Sequence, residues 1–283
     1  MPVVEEIAVD DPRLDVFRDL RGRTWPDHFV GEGLTVVERV LASGHAVDAV
    51  VCERRLLDTL ARQVPPGRPL YVVPDGALAE VAGFQFHKGV IVAGRRRPLR
   101  AVADLLPPAD EPCTLLIAEA TTDPENAGGL LRLAAALDVT AVVFGPASTD
   151  PYARRVLRTS MAACLAVPWT AVPKDVAKVV RTLSRDHGVE TWATVLGHGA
   201  TDLATIADRP RRVAVVVGNE GHGLSRPVRE ACDRLVTIPV SARVDSLNVV
   251  VATGIVLHHL RTPPRPAVPR PDQGSSDSAT VQV

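Results

Sequence analysis

RVAVVVGNEGHGLS, the stretch Arg212–Ser225, decides the fold. From Val213 to Val217 it is apolar at every position. Strands of that kind lie in parallel sheets with helices covering both faces. Comparable strand signals stand at Thr114–Glu119, Ala141–Phe144, Glu190–Thr194 and Arg234–Ile238. Helical patterns separate them at Gly128–Leu137, Tyr152–Ala163, Lys174–Asp186 and Ser246–Leu260. Such alternation predicts an α/β unit around a parallel sheet. The apolar run ends in Gly218-Asn219-Glu220-Gly221-His222-Gly223. Glycine lets backbone approach a ligand closely, and Glu220 sets a carboxylate in the turn. The order is G-x-x-G-x-G after a late strand, whereas a dinucleotide loop needs G-x-G-x-x-G after the first strand. A Rossmann cofactor site is therefore not expected. Taken alone, an ordinary tight turn explains these residues at least as well.

Two further motifs flank this turn. Upstream stands Asp123-Pro124-Glu125-Asn126-Ala127-Gly128-Gly129-Leu130-Leu131-Arg132. Asp123 and Asn126 suit turn or capping roles before a helix from Gly128. Arg132 falls among leucines and alanines, where a guanidinium needs a carboxylate, a phosphate or an exposed edge. A salt-bridged surface arginine stays open as the plainer reading. Downstream, Ile238-Pro239-Val240 is followed by Asp245-Ser246-Leu247-Asn248-Val249-Val250-Val251-Ala252. Ser246 or Asp245 is expected to cap the last helix. Capping explains Asn248 poorly. Ser160 lacks the G-x-S-x-G setting of a hydrolase nucleophile, and His258-His259 lacks metal-ligand spacing.

Before this unit the sequence predicts a smaller α/β domain of roughly a hundred residues. A helix is expected from Pro12 to Arg21 with Asp11 as cap, then helical spacing over Gly33–Ala42. Strands are expected at Val47–Cys52, Leu70–Val73 and Gly89–Ala93. Helical segments are expected at Arg54–Gln63 and after Pro74–Asp75. Prolines 98, 107, 108 and 112 place a domain boundary near residues 103–112. From Thr262 the chain turns Pro-rich and then Ser-rich, and is expected to be disordered.

Composition sets outer limits. The 283 residues are 46% hydrophobic and 23% charged, as in a soluble globular protein. With 32 basic against 33 acidic side chains the net charge is −1, so any nucleic-acid footprint must be local. Arg18/Arg21/Arg23, Arg95/Arg96/Arg97/Arg100 and Arg154/Arg155/Arg158 are candidates, each also readable as a solvated face. Cys52, Cys113, Cys164 and Cys232 form no Cys-x-x-Cys pair, which predicts buried thiols in a reducing cytosol with neither disulfides nor zinc. The acidic N-terminus lacks signal-peptide order and no apolar run reaches membrane-span length, so a cytoplasmic protein is expected.

Taken together and in order, the three motifs closely resemble the SpoU (TrmH) family of the SPOUT methyltransferase superfamily. The resemblance rests on N-x-G-x-x-x-R, a strand ending G-N-E-G-x-G-L-S, then I-P and S-L-N-V-x-V-A. It spans about residues 111–260, and the intervening Arg154–Met161 resembles the family's helix carrying its R-x-S-M segment. Residues 20–97 resemble the accessory RNA-recognition domain, through Gly31-Glu32-Gly33, Phe86-His87-Lys88-Gly89-Val90 and Arg95–Arg97.

The resemblance implies an N-terminal RNA substrate-binding domain over 1–105, a catalytic domain over 111–261 and a tail over 262–283. It implies a parallel-sheet α/β fold with a deep trefoil knot. S-adenosylmethionine is expected to be held by backbone at Gly218, Ile238 and Leu247, in a homodimer whose subunits share each site. The implied reaction is methylation of an RNA ribose 2′-hydroxyl, with ribosomal RNA favoured over tRNA because a separate recognition domain suits a folded local element. A non-catalytic RNA-binding relative is the alternative. Arg132 occupies the catalytic position, with Asn126, Glu220, Ser246 and Asn248 around it. An arginine with a pKa above about 12 is a poor base, so clamping a phosphate and polarising the hydroxyl is the expected role. Asn126 and Glu220 are expected to orient Arg132 or its partner. The chain departs from the family at Asp138 and Ala162, where glycine is usual, and at Val250, where serine is frequent.

Overall fold

The computed structural model describes residues 1–261 apart from Gly22 and His198, so the tail expected to be disordered lies outside the described residues. Its first part comprises β1 (Val3–Glu6), β2 (His28–Glu32), α1 (Leu34–Ala42), β3 (Val47–Glu53), α2 (Leu57–Leu60), β4 (Pro69–Val73), α3 (Ala77–Ala82) and β5 (Val90–Arg95). The strands form one sheet in the order β1-β4-β3-β5-β2. β1, β4 and β3 run parallel, and β5 and β2 add antiparallel pairings. Asp11 caps its segment by accepting from the Arg13 N–H, but that segment is a 3-10 helix, Pro12–Phe17, ending before Arg21. Asp19, at φ 49°, adopts a backbone conformation no right-handed helix continues through. Arg54–Gln63 also winds less than expected, as a 3-10 turn running into the short α2.

The second part comprises β6 (Cys113–Ala118), α4 (Pro124–Ala136), β7 (Ala141–Phe144), α5 (Arg154–Thr159), β8 (Trp169–Ala171), α6 (Val176–His187), β9 (Glu190–Thr194), β10 (Thr201–Asp202), β11 (Arg212–Val217), α7 (Arg226–Ala231), β12 (Arg234–Thr237) and α8 (Val249–Arg261). Its sheet runs β10-β12-β9-β11-β6-β7-β8, with every pairing parallel. Val213 to Val217 are all buried, with core side chains on both faces of β11. The apolar run of β11 thus earns its place at the middle of the sheet. Among the described residues no helix is long and apolar enough to cross a membrane.

The two sheets share a continuous core. Tyr152 stands at the junction, its ring stacked on Phe29 of β2 with centroids 5.1 Å apart and planes 10° apart. It also meets Trp169 of β8 edge-on at 5.0 Å. His45 joins it, with Nε2 3.2 Å from the Tyr152 hydroxyl and Nδ1 2.9 Å from Ser43 Oγ. Burial, and then the nearby Arg97 charge, hold the His45 pKa below its ordinary value. A base with a lowered folded pKa binds fewer protons folded than unfolded. Its stabilising contribution is complete above the unfolded value of about 6.5 and is lost as pH falls below it. His45→Gln is therefore expected to shrink the drop in urea midpoint between about pH 7.5 and about pH 5.5. His259, whose pKa is also lowered, is retained in both proteins, so an undiminished drop removes His45 as a source.

The expectation of glycine at positions 138 and 162 has a backbone reason. Asp138 sits at φ 53° and Ala162 at φ 60°, in the left-handed region that favours glycine. Met161 at φ 52° precedes Ala162, which explains why α5 stops at Thr159 although its pattern predicts helix to Ala163. Replacing Ala162 by glycine relieves about 1 kcal/mol of strain. It also gives up a buried methyl worth about 0.8 kcal/mol and frees the unfolded chain. Thermal unfolding of Ala162→Gly is expected to differ by less than about 1 kcal/mol. Ala162→Val, β-branched in the same conformation, is expected to cost about 2 kcal/mol or more.

Candidate functional site

The loops at the C-terminal ends of β6, β11 and β12 converge, as ligand-binding loops do in open α/β sheets. Asp123 caps α4 by accepting from the Glu125 N–H at 2.8 Å, with Pro124 in the first helical position. The helix thus starts before Gly128, and Asn126 lies inside its first turn, where it is only 8% exposed. A buried amide must be satisfied at both ends, and both partners come from the other motifs. Asn126 Nδ2 donates to Glu220 Oε1 at 2.8 Å, and Asn126 Oδ1 accepts from Asn248 Nδ2 at 2.9 Å. The three motifs close on one another here.

Asn248 also corrects the expected cap of α8. Its Oδ1 accepts from the Val250 N–H at 2.8 Å, so Asn248, in place of Ser246 or Asp245, opens the helix. One side chain caps the start of a helix with its oxygen and grips Asn126 with its nitrogen. Ser246 is exposed and has no hydrogen bond among the described residues. Val250, the departure from serine, packs on α4: a Cβ on Gly129 would stand 2.8 Å from Val250 Cγ2.

Asn219 was not singled out by its sequence position, yet it shapes the β11 loop. Its Oδ1 accepts from the Gly221 N–H at 2.8 Å, an Asx turn, while Nδ2 donates to the Ala120 carbonyl at 2.9 Å. Reciprocal backbone bonds between Asn219 and Gly223 close the loop. A Cβ on Gly218 would overlap the Gly223 carbonyl carbon and the Leu224 nitrogen, so only glycine fits there. Glu119 holds the loop's far end, with Oε2 accepting from the Ser225 N–H at 2.8 Å. Among the described residues the backbone groups of Gly218, Ile238 and Leu247 make no hydrogen bond. These half-buried donors and acceptors suit a ligand held by main chain.

Arg132 stands apart. It is exposed, and its side chain has no hydrogen bond or ion pair among the described residues. Asn126 and Glu220 contact each other and not Arg132, so the expected orienting contact is absent within one chain. Several candidate RNA-facing arginines have structural partners. Arg95 pairs with Asp48 and Asp27, Arg96 with Asp150, and Arg155 with Glu125.

The crystal structure of an AdoMet-bound rRNA methyltransferase from Sinorhizobium meliloti superposes with a TM-score of 0.77 at 26% identity, covering 91% of this chain and 97% of that one. Fold and loop arrangement define a SPOUT-type α/β methyltransferase domain preceded by a smaller α/β region. More particularly, the chain belongs to the SpoU rRNA methylase family, whose model matches residues 114–258. A protein named as an uncharacterized tRNA/rRNA methyltransferase of Mycobacterium tuberculosis is 36% identical over 259 residues, 88% of each chain. The 23S rRNA (guanosine-2′-O-)-methyltransferase RlmB of Ralstonia nicotianae is 31% identical over 228 residues, 78% of this chain and 90% of its own.

Proposed function

We propose that this protein transfers a methyl group from S-adenosylmethionine to a ribose 2′-hydroxyl of RNA, ribosomal RNA foremost, acting as a homodimer in the cytoplasm. The observation that carries the reading is the Asn248–Asn126–Glu220 chain, set beside the unengaged backbone of Gly218, Ile238 and Leu247. Those three residues would hold the cofactor, which when bound supplies an electrophilic methyl on a sulfonium. Arg132, whose guanidinium has no partner among the described residues, clamps an RNA phosphate and polarises the 2′-hydroxyl. Glu220, held by the Asn126 amide, keeps the β11 loop in register with α4, and Asn248 sets the third motif against both. Alignment of hydroxyl, methyl and sulfur supplies much of the rate.

The homodimer reading is supported by exposed apolar side chains on α8, Val251 at 52% and Ile255 at 40%, and by exposed Val244. A second subunit covering this face would let Arg132 serve a shared site. The same reading extends to a knotted chain path, supported by β12 lying between β10 and β9 and by α8 returning to pack Val250 on Gly129.

Incubation with radiolabelled S-adenosylmethionine and deproteinised ribosomal RNA or tRNA tests the reading. A 2′-O-methyl group blocks attack on the next phosphate, so label is expected in alkali-resistant dinucleotides, mainly from ribosomal RNA. Label confined to alkali-released mononucleotides would mean base methylation. RNA binding without transfer would favour the non-catalytic relative.

A further inference from the structure

A net charge of −1 gives RNA no global field to follow. The cations that face RNA must be those the fold leaves in local excess. Arg95, Arg96 and Arg155 are paired as described, Arg18 pairs with Asp15, and Arg97 donates to the Ser43 carbonyl. What remains as a cluster lies at the seam between the α3–β5 loop and α5.

There Arg154 and Arg158 share a single carboxylate, Glu32, at 2.5 and 3.1 Å. Glu32 is buried, but the Arg158 side chain is 48% exposed. The Arg154 guanidinium lies 4.7 Å from the centroid of half-buried Phe84, and that of exposed Arg21 lies 5.8 Å from the same ring. Lys88 is exposed, has no ion pair among the described residues, and runs its stem past Gly33, next to Glu32. Arg55 borders Gly89 and pairs with buried Glu53, and Asp19 lies beside Gly83. Arg21 and Arg154 flank the Phe84 ring, and with Arg55, Lys88 and Arg158 along the same seam they outnumber Glu32, Glu53, Asp19 and Asp75. On the other side of α5, Arg155 reaches Glu125 at 2.8 Å, one residue from Asn126.

We propose that this seam docks an unpaired stretch of RNA, with a base on Phe84 or on the guanidinium over it and phosphates on Arg21, Lys88 and Arg158. The proposal rests on the reading of the protein as an RNA methyltransferase. Unstacked bases settle on aromatic rings and arginine planes, and neighbouring cations take the phosphates. RNA held there runs along α5 toward the motif residues. Duplex RNA, whose bases are already stacked, gains nothing from Phe84.

The test uses the full-length protein and labelled, deproteinised 23S ribosomal RNA, with oligouridylate and a perfect RNA duplex as competitors. The double variant Arg21→Gln/Lys88→Gln is expected to bind about tenfold more weakly. Its slope of log affinity against log salt should fall by about 1.5, since each phosphate contact contributes about 0.7–0.9. Phe84→Leu, which keeps an apolar contact to Phe86, is expected to lose about fivefold with its slope unchanged. Oligouridylate should compete more strongly than the duplex, and Phe84→Leu should narrow that difference. The RNA KM should rise in parallel, while S-adenosylmethionine affinity and kcat at saturating RNA hold. Arg181→Gln, at an exposed position of α6, controls for loss of charge alone. Seam variants that bind like the wild type, or lose no more than Arg181→Gln, overturn the docking surface even if methyl transfer is found. Seam-dependent binding without transfer to any RNA retains the surface and removes the methyltransferase reading. Absence of RNA binding by the wild type overturns both.

Discussion

Arg132→Ala is expected to lose methyl transfer to RNA by about 10²–10⁴-fold, or about 3–5 kcal/mol of transition-state stabilisation. Its unfolding transition and S-adenosylmethionine affinity should stay within error of the wild type. The contrast follows from where the side chain stands. Arg132 is exposed and makes no hydrogen bond or ion pair among the described residues, so its removal opens no cavity and strands no buried partner. Surface changes of that kind stay within about 0.5 kcal/mol. Arg132→Lys keeps the charge but loses the planar fork that grips two phosphate oxygens, so it should recover only a small part of the rate. Single-turnover measurement at saturating cofactor and RNA isolates the chemical step. Retention of the rate within about threefold by Arg132→Ala would remove the residue from the reaction.

The strands were legible wherever burial on two faces left an uninterrupted apolar run, as in β7 and β11. β1, β8 and β10 escaped because they are edge strands of two to four residues. β2 escaped because its HFVGE mixes charge with glycine, and the buried Glu32 is only intelligible beside Arg154 and Arg158. The start of α4 was written in Asp123-Pro124, a cap followed by a first-turn proline. The two glycines of the first motif drew the boundary too late. They are tolerated inside the helix because Thr159 and Val250 crowd against them. Asn126, Glu220 and Asn248 were visible as motif members, but their hydrogen-bonded chain joins residues as far as 122 positions apart. No local pattern carries that information. Tyr152 likewise gave no sign of joining the two sheets, because its partners Phe29, in β2, and His45, in the loop before β3, lie more than a hundred positions upstream.

Gly218→Ala is expected to reduce S-adenosylmethionine affinity by at least about a hundredfold while leaving the protein folded. A Cβ at Gly218 overlaps backbone atoms of Gly223 and Leu224, and backbone cannot turn aside as the end of a flexible side chain can. The loop is also pinned by Asn219 to the Ala120 carbonyl and by Glu119 to the Ser225 N–H. The clash must therefore push the glycine turn outward, carrying the Gly218 backbone away from Ile238 and Leu247. Overpacking of this kind costs about 1–3 kcal/mol of stability, which a domain of ordinary stability survives. Main-chain contacts to a ligand tolerate far less, since losing two hydrogen bonds at about 1.4 kcal/mol each already costs about a hundredfold in affinity. Gly94→Ala provides the comparison: its Cβ would stand 2.6 Å from Phe29 Cζ, in the N-terminal sheet, so it should lower stability without touching cofactor affinity. Calorimetric titration of both variants, at a temperature where circular dichroism shows native structure, separates the two effects. Wild-type affinity in Gly218→Ala would mean that the G-N-E-G-H-G turn is only a turn.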